Sequence, residues 1–158
     1  MQCIIFWHYS LLLYDENFSF HVLINLEWFV IESKLSGGVL KIDEKTKELK
    51  TSKCEGLSNQ LWTWKGNSLM SKSGFYLGEP KDDKSIKAGS KVRASDSDTA
   101  DKIAEWKMER CKLISTLTGM ALDIKNGSIW KNEDIILWPP AQSKRVDSQS
   151  WVLASYHF

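Results

Sequence analysis

Three tryptophans recur at a nearly constant spacing in this chain of 158 residues, and that spacing constrains the fold more than any other feature. They are separated by 44 and 45 residues, and each ends a related tripeptide: Gln60-Leu61-Trp62, Ala104-Glu105-Trp106 and Gln149-Ser150-Trp151. A period of about 20–50 residues is the signature of a repeated supersecondary unit. We therefore interpret the chain as three diverged copies of one unit.

The three copies also share a start, a Ser/Thr-Gly-x-x-Leu motif that follows a strand-like segment. The motifs are Ser36-Gly37…Leu40, Ser73-Gly74…Leu77 and Thr118-Gly119…Leu122, and the preceding segments are Phe29–Lys34, Leu69–Lys72 and Cys111–Thr116. Alternating apolar and polar residues with β-branched side chains are typical of half-buried strands. Frequent Gly, Asn and Asp turns, with no long helical period, then predict an all-β closed architecture.

The segment Ser95–Arg110 has a competing helical pattern. It begins with Ser and Asp, which cap helices, and it places Ile103, Trp106 and Arg110 at helical spacing. The repeat, however, places Trp106 where the other two copies re-enter a strand. We therefore predict a loop followed by a strand at Trp106.

Residues 1–27 differ from the rest of the chain, because they are rich in large apolar side chains and contain no Lys or Arg. His8, Tyr9 and Ser10 interrupt the apolar run, and no small-x-small cleavage site follows, so a signal peptide is disfavoured. The run is also too short to span a bilayer. We predict an N-terminal extension, a candidate homodimer surface, and a cytoplasmic or non-classically secreted protein.

Composition excludes several classes of function. The 21 basic and 20 acidic side chains nearly cancel, so no net field favours nucleic acid or an anionic membrane. The three cysteines are odd in number and far apart, which indicates reduced thiols: Cys3, Cys54 and Cys111. The histidines lack metal-ligand spacing, and no nucleophile–base motif occurs. We therefore predict no metal, no cofactor and no enzymatic activity.

Units of 40–45 residues ending in Gln-x-Trp resemble those of the ricin B-type β-trefoil lectins, over about Trp28 to the C-terminus. Further matches are Asn59–Thr63, Leu122-Asp123-Ile124 with the turn Asn126-Gly127, and Ile136–Pro139. The resemblance implies a β-trefoil at 28–158, with a six-stranded barrel capped by three hairpins and repeats at about 28–68, 69–110 and 111–156. It also implies that Trp62, Trp106 and Trp151 are structural residues of the core.

The resemblance implies one sugar site, in the third unit. In this family an Asp accepts hydrogen bonds from ring hydroxyls, an aromatic side chain stacks on the sugar, and an amide near Gln-x-Trp closes the pocket. Asp123, Trp138 and Gln149 occupy these positions, whereas Ser148 stands where the family usually has Asn, so Ser148 or Asp147 would have to supply the closing hydrogen bond. The implied ligands are galactose-type glycans, galactose or N-acetylgalactosamine.

The same positions are altered in the other two units. Lys41 replaces the Asp in the first unit, and Gly78 and Ala104 replace the Asp and the Gln in the second, so both sites are expected to be inactive. The alternative is a β-trefoil scaffold for protein interaction whose sugar sites have all decayed. In that case Asp123 would cap the turn at Asn126-Gly127, and Trp138 would pack against the prolines that follow it.

Overall fold

The structure, a computed structural model, describes residues 28–78, 86–96, 103–142 and 147–156. Within these ranges the chain forms twelve strands and one 3-10 turn at Lys125–Gly127. The strands are β1 (Phe29–Ser33), β2 (Val39–Ile42), β3 (Leu49–Ser52), β4 (Trp62–Lys65), β5 (Ser68–Ser71), β6 (Phe75–Leu77), β7 (Ala94–Asp96), β8 (Trp106–Glu109), β9 (Lys112–Ser115), β10 (Ala121–Ile124), β11 (Ile135–Trp138) and β12 (Trp151–Ser155). They fall into three consecutive sets of four.

Six of these strands form a barrel, because β1 pairs with β12, β4 with β5 and β8 with β9, all antiparallel. The first residue of β4, Trp62, pairs with Phe29 of β1. At the equivalent places the backbone N–H groups of Trp106 and Trp151 each donate a 2.8 Å hydrogen bond, to the carbonyls of Asn67 and Cys111. The three motif tryptophans thus begin the strands that close the barrel.

The remaining six strands form three hairpins, β2–β3, β6–β7 and β10–β11, which together cap the barrel. The hairpins meet around buried Leu49, Val92 and Ile135, where Val92 lies two residues before the second strand of its hairpin. Leu49 N–H donates to Val92 O at 3.2 Å, and Val92 N–H donates to Ile135 O at 2.9 Å. A six-stranded barrel with a three-hairpin cap is a β-trefoil. The predicted fold class is therefore confirmed.

Each motif tryptophan joins the cap to the barrel. The indole N–H groups of Trp62, Trp106 and Trp151 donate to the carbonyls of the motif leucines Leu40, Leu77 and Leu122, at 3.3, 2.9 and 2.9 Å. All three indoles are buried, so their N–H groups need a partner within the protein. The spacing found in the sequence thus reflects one packing unit that is built three times.

The turns that start the units use glycine for its backbone freedom. Gly37, Gly74 and Gly119 have φ values of 67°, 91° and 69°, in the left-handed region that a Cβ atom disfavours. The strand predicted at Trp106 is confirmed, because β8 begins there, while residues 97–102 lie outside the described part of the chain. The extension predicted at 1–27 also lies outside it, so the domain boundaries stay predictions.

The cysteine prediction is wrong in one respect. Cys54 is free, as expected, and it is exposed, but Cys111 is disulfide-bonded rather than reduced. Spacing along the sequence could not show this, because a disulfide depends on the distance between Cα atoms in the folded chain. No helix in the described ranges is long and apolar enough to cross a membrane.

Candidate functional site

Asp123 is a buried carboxylate at the centre of the third-unit hairpin. It lies in β10 opposite Ile136 of β11, and only 7% of the residue is exposed. Its Oδ2 atom accepts a 2.9 Å hydrogen bond from Gln149 Nε2, whereas Oδ1 is buried and has no partner among the described residues. Buried polar atoms are normally hydrogen-bonded, so an unpaired Oδ1 is an exception among the described residues.

Gln149 holds Asp123 in place. Its Nε2 atom also donates to Pro139 O at 3.0 Å, and its Oε1 atom accepts from Ala141 N–H at 2.8 Å. Gln149 is buried, and these bonds fix both ends of its amide, so an N–H is directed at the carboxylate. The partners are backbone groups of the segment after β11, which residue types alone do not reveal.

Trp138 lies on the same face of the hairpin as Asp123. It pairs with Ala121, two residues before Asp123, and side chains two residues apart on a strand share a face. Diagonal neighbours across such a pair lie about 7–8 Å apart, within reach of an aromatic ring. Trp138 is 47% exposed, so part of its indole remains open to a ligand.

The scaffold interpretation of these two residues is not supported by the geometry. The 3-10 turn at Lys125–Gly127 has no side-chain cap, so Asp123 does not serve it. Trp138 is half exposed, and Pro139 and Pro140 beside it are exposed as well, so the indole is not filling the core. Asp123 is therefore not the cap of that turn, and Trp138 is not a core residue.

The residues next to Gln149 have different roles. Ser148 contributes its backbone carbonyl, which accepts from Ile124 N–H at 3.1 Å and fixes the end of β10. Asp147 accepts from Gln149 N–H at 2.9 Å and forms an ion pair with Lys112 Nζ at 3.0 Å. Asp147 is thus engaged with the protein, and of the two candidates for the closing hydrogen bond the Ser148 hydroxyl is the less committed.

No protein-family model matches this sequence, and no curated protein does either. Solved structures do match. The Macrolepiota procera ricin B-like lectin in complex with lactose has a TM-score of 0.68 at 22% identity, over 82% of this chain and 95% of that one. The earthworm R-type lectin C-half in complex with GalNAc has a TM-score of 0.64 at 18% identity, over 82% and 98%. The chain has the fold of the ricin B-type lectins. The designed threefold-symmetric protein ThreeFoil is also similar, with a TM-score of 0.65 at 20% identity, over 82% and 99%.

Within this ricin B-type fold, the first unit keeps the glutamine contacts found in the third unit but lacks its acid and its aromatic side chain. Gln60 donates to Lys53 O at 2.7 Å and accepts from Glu55 N–H at 2.9 Å, the same pattern that Gln149 forms with Pro139 and Ala141. The hairpin register, however, places Lys41 where the third unit has Asp123, and Ser52 where it has Trp138. A lysine offers no acceptor for a hydroxyl.

The second unit has no room for a site residue. Gly78 occupies the position of Asp123, and a Cβ atom added there would lie 2.7 Å from the Arg93 carbonyl oxygen, closer than real Cβ contacts. Ser95 stands at the position of Trp138. Among the three units of this trefoil, the carboxylate and the aromatic plane occur together in the third alone.

Proposed function

We propose that this protein is a non-catalytic lectin that binds carbohydrate at one site, formed by Asp123, Trp138, Gln149 and Ser148. The observation that carries the proposal is the buried Asp123 Oδ1 atom, which has no hydrogen-bond partner among the described residues and shares a face with the half-exposed Trp138. An unpaired acceptor in a buried carboxylate is costly in a folded protein unless a ligand uses it. The hydrogen bond from the Gln149 side-chain amide fixes the carboxylate before any ligand binds.

The two groups match the two sides of a sugar. Ring hydroxyls are donors, and hydrogen bonds to a carboxylate are about twice as strong as neutral ones. The apolar C–H face of the ring packs on an aromatic plane, and Trp offers the largest such plane. A donor-rich edge towards Asp123 and a C–H face towards Trp138 would use both groups at once.

The proposed ligand class is a glycan ending in galactose or N-acetylgalactosamine. Two lectins with this fold were solved with GalNAc and with lactose, which supports the choice. The resemblance of Leu122-Asp123-Ile124 to the family's site strand implies that the acid receives the 3- and 4-hydroxyls. A single site binds weakly, so a densely displayed glycan would raise the apparent affinity by multivalency.

The test is a glycan array with the labelled wild-type protein, followed by calorimetric titration with N-acetylgalactosamine and lactose. Asp123→Asn keeps the shape of the side chain but removes the charged acceptor, so we expect loss of the array signal. Glu109→Gln, which also removes one negative charge but at an exposed carboxylate outside the site, is the matched control and should bind like the wild type. A signal that survives Asp123→Asn would place the site elsewhere.

The alternative function is a protein-interaction scaffold, and the altered first and second units favour it. With Lys41 and Gly78 in place of the acid, two of the three units lack the chemistry of a sugar site. Folded protein with a blank array would support this alternative. The ligands to test would then be proteins instead of glycans.

A further inference from the structure

The loop that joins β10 to β11 carries two neighbouring apolar side chains that the core does not cover. Ile129 is 59% exposed, and Trp130 is 74% exposed, the highest value for any large apolar side chain in the described part of the chain. Neither residue belongs to the proposed sugar site. Apolar side chains that are exposed together, rather than singly, indicate a surface that contacts a partner or a membrane.

Thr51 of β3 fixes the loop through backbone groups. Its hydroxyl donates to Trp130 O at 3.3 Å and accepts from Glu133 N–H at 3.2 Å. Its carbonyl accepts from Asn132 N–H at 2.6 Å. The backbone is therefore held in place while the side chains of Ile129 and Trp130 stay exposed, so little ordering of the loop remains to be done on binding.

Basic side chains border the loop, and the acids paired with them lie deeper. Asp134, at the end of the loop, pairs with Lys91 at 3.2 Å and with Lys125 at 3.7 Å. The Asp134 side chain is 15% exposed, whereas those of Lys91 and Lys125 are 43% and 47% exposed. In the same network Glu48 is 16% exposed and pairs at 3.3 Å with Arg93, which is 53% exposed. The outer layer of this ion-pair network is therefore cationic.

The balance of charge around the loop is also positive. The loop and the ion-pair network that it joins contain three acids and five bases, an excess of two positive charges: Glu48, Glu133 and Asp134 against Lys50, Lys91, Arg93, Lys125 and Lys131. The whole chain has a net charge of only +1, so its attraction to an anionic surface is local and does not extend over the molecule.

The surface of an anionic bilayer fits this combination better than a protein partner. Trp has an apolar ring and one polar N–H, and it is enriched at the boundary between the lipid headgroups and the acyl chains. Each Lys or Arg near an anionic membrane surface raises the binding constant about fivefold. A protein interface buries about 800 Å² per partner, and an aromatic side chain buries roughly 150–250 Å², so two apolar side chains are too few to form one.

We propose that the loop at 125–134 is a membrane-docking surface for bilayers that contain anionic phospholipid. Ile129 and Trp130 enter the boundary between headgroups and acyl chains, and Lys125 and Lys131 bind the anionic headgroups. This surface uses none of the four residues assigned to sugar binding, so it functions whether or not the third unit binds galactose.

The test is co-sedimentation of the full chain with sucrose-loaded vesicles of phosphatidylcholine alone and of an equal mixture with phosphatidylserine. Neither lipid carries a sugar, so the result does not depend on the Asp123 site. We expect the mixed vesicles to bind at least about tenfold more tightly, because several basic side chains contribute. Raising the salt from about 0.05 to 0.5 M should weaken this binding, since exposed charges are screened.

One pair of variants tests the apolar side chains. Ile129→Ser/Trp130→Ser should bind the mixed vesicles about tenfold more weakly or worse, because the apolar surface that enters the bilayer is lost. The fold should survive, since the loop is bound to Thr51 through its backbone. Met108→Ser/Leu117→Ser removes two exposed apolar side chains elsewhere, and should bind like the wild type.

A second pair of variants tests the charges. Lys125→Gln/Lys131→Gln should bind the mixed vesicles about tenfold more weakly or worse, and phosphatidylcholine vesicles like the wild type. Lys65→Gln/Lys107→Gln changes the net charge equally, but at exposed lysines of the barrel strands β4 and β8. It should bind both kinds of vesicle like the wild type.

Fluorescence quenching by brominated acyl chains identifies the tryptophan that enters the bilayer. Quenching should be lost in Trp130→Phe, which keeps an apolar ring on the loop, and should persist in Trp64→Phe. The proposal is overturned if the mixed vesicles bind no better than phosphatidylcholine alone, if the Ile129/Trp130 variant binds them as well as the wild type, or if quenching persists in Trp130→Phe. A chain that binds neither kind of vesicle also overturns it, and would leave a protein as the partner of this surface.

Discussion

The amide of Gln149 donates to Asp123 Oδ2 at 2.9 Å across 26 residues of sequence, and the described residues leave the other carboxylate oxygen buried and unpaired. The hydrogen bond at Oδ2 fixes the side chain. In the proposed sugar site, Oδ1 is the atom that accepts from a ligand hydroxyl. The same glutamine also binds the segment after β11, so it acts both in the site and in the fold.

Replacing Gln149 should therefore cost stability and sugar binding together. Gln149→Leu leaves Pro139 O, Ala141 N–H and Asp123 Oδ2 without their partner, and we expect a loss of about 2–4 kcal/mol in the free energy of unfolding. The measurement is urea denaturation beside calorimetric titration with N-acetylgalactosamine. Gln60→Leu is the matched control, because Gln60 makes the same backbone bonds in the first unit. It should lose comparable stability and keep the sugar affinity. Equal loss of affinity in both variants would contradict the role given to Gln149.

Two tryptophans of the third unit should respond oppositely to truncation. Trp138 is 47% exposed, so Trp138→Ala should reduce sugar binding at least tenfold while the melting temperature changes by only a few degrees. Trp151 is 1% exposed and donates to Leu122 O at 2.9 Å, so Trp151→Ala should destabilise the fold by about 3–5 kcal/mol. Thermal unfolding and titration distinguish the two effects. A large fall in melting temperature for Trp138→Ala would assign that residue to the core instead.

The ion-pair network at the centre of the cap should make stability depend on pH. The hydrogen bond from Lys50 lowers the pKa of Asp134, and Lys91, 3.2 Å away, adds to the effect. A folded-state pKa below the unfolded one gives stability that is present above the unfolded value, near 3.8, and is lost as the pH falls through the folded value. Asp134→Asn should thus be less stable than the wild type at pH 7, and the difference should disappear in acid.

Glu109 is the control for that prediction. It pairs with Lys107 at 2.9 Å, and the hydrogen bond from Lys107 lowers the pKa of Glu109, but both side chains are more than half exposed. Exposed pairs contribute little, so Glu109→Gln should follow the wild-type pH profile. Urea midpoints between about pH 3 and pH 8 would show whether the two acids differ. Identical profiles for both variants would contradict the prediction for Asp134.

The first unit should accept a grafted sugar site, and the second should not. Lys41→Asp with Ser52→Trp restores the acid and the aromatic plane on a hairpin whose Gln60 already has the required contacts. We expect two bound sugars per chain by calorimetry instead of one. Gly78→Asp should destabilise the second unit and bind nothing, because the new Cβ atom meets the Arg93 carbonyl at 2.7 Å. A stoichiometry of one in the first-unit graft would show that more than these two side chains separates the units.

The periodic features of the sequence predicted the architecture well. The tryptophan spacing and the Gly-x-x-Leu starts correspond to strands and turns that repeat three times. In each unit the buried indole N–H donates to the carbonyl of the motif leucine. The match to the family's site strand likewise placed Leu122, Asp123 and Ile124 on one strand. The segment Ser95–Arg110 was the ambiguous one, since helical spacing and strand spacing both fit a few residues, and the repeat gave the right answer for Trp106.

By itself the sequence determined the three-unit all-β plan and the residue types at the third-unit site, because both depend on side-chain spacing along one chain. The tertiary structure decided what those residues contact. Asp123 accepts a hydrogen bond from Gln149, 26 residues later in the sequence, and Thr51 donates one to the carbonyl of Trp130, 79 residues later. Cys111 is disulfide-bonded. The partner of Thr51 is the backbone carbonyl of Trp130, one of the groups that every residue has and that the residue type therefore cannot predict. Only the fold, by setting strand register and loop path, selects which of them meet.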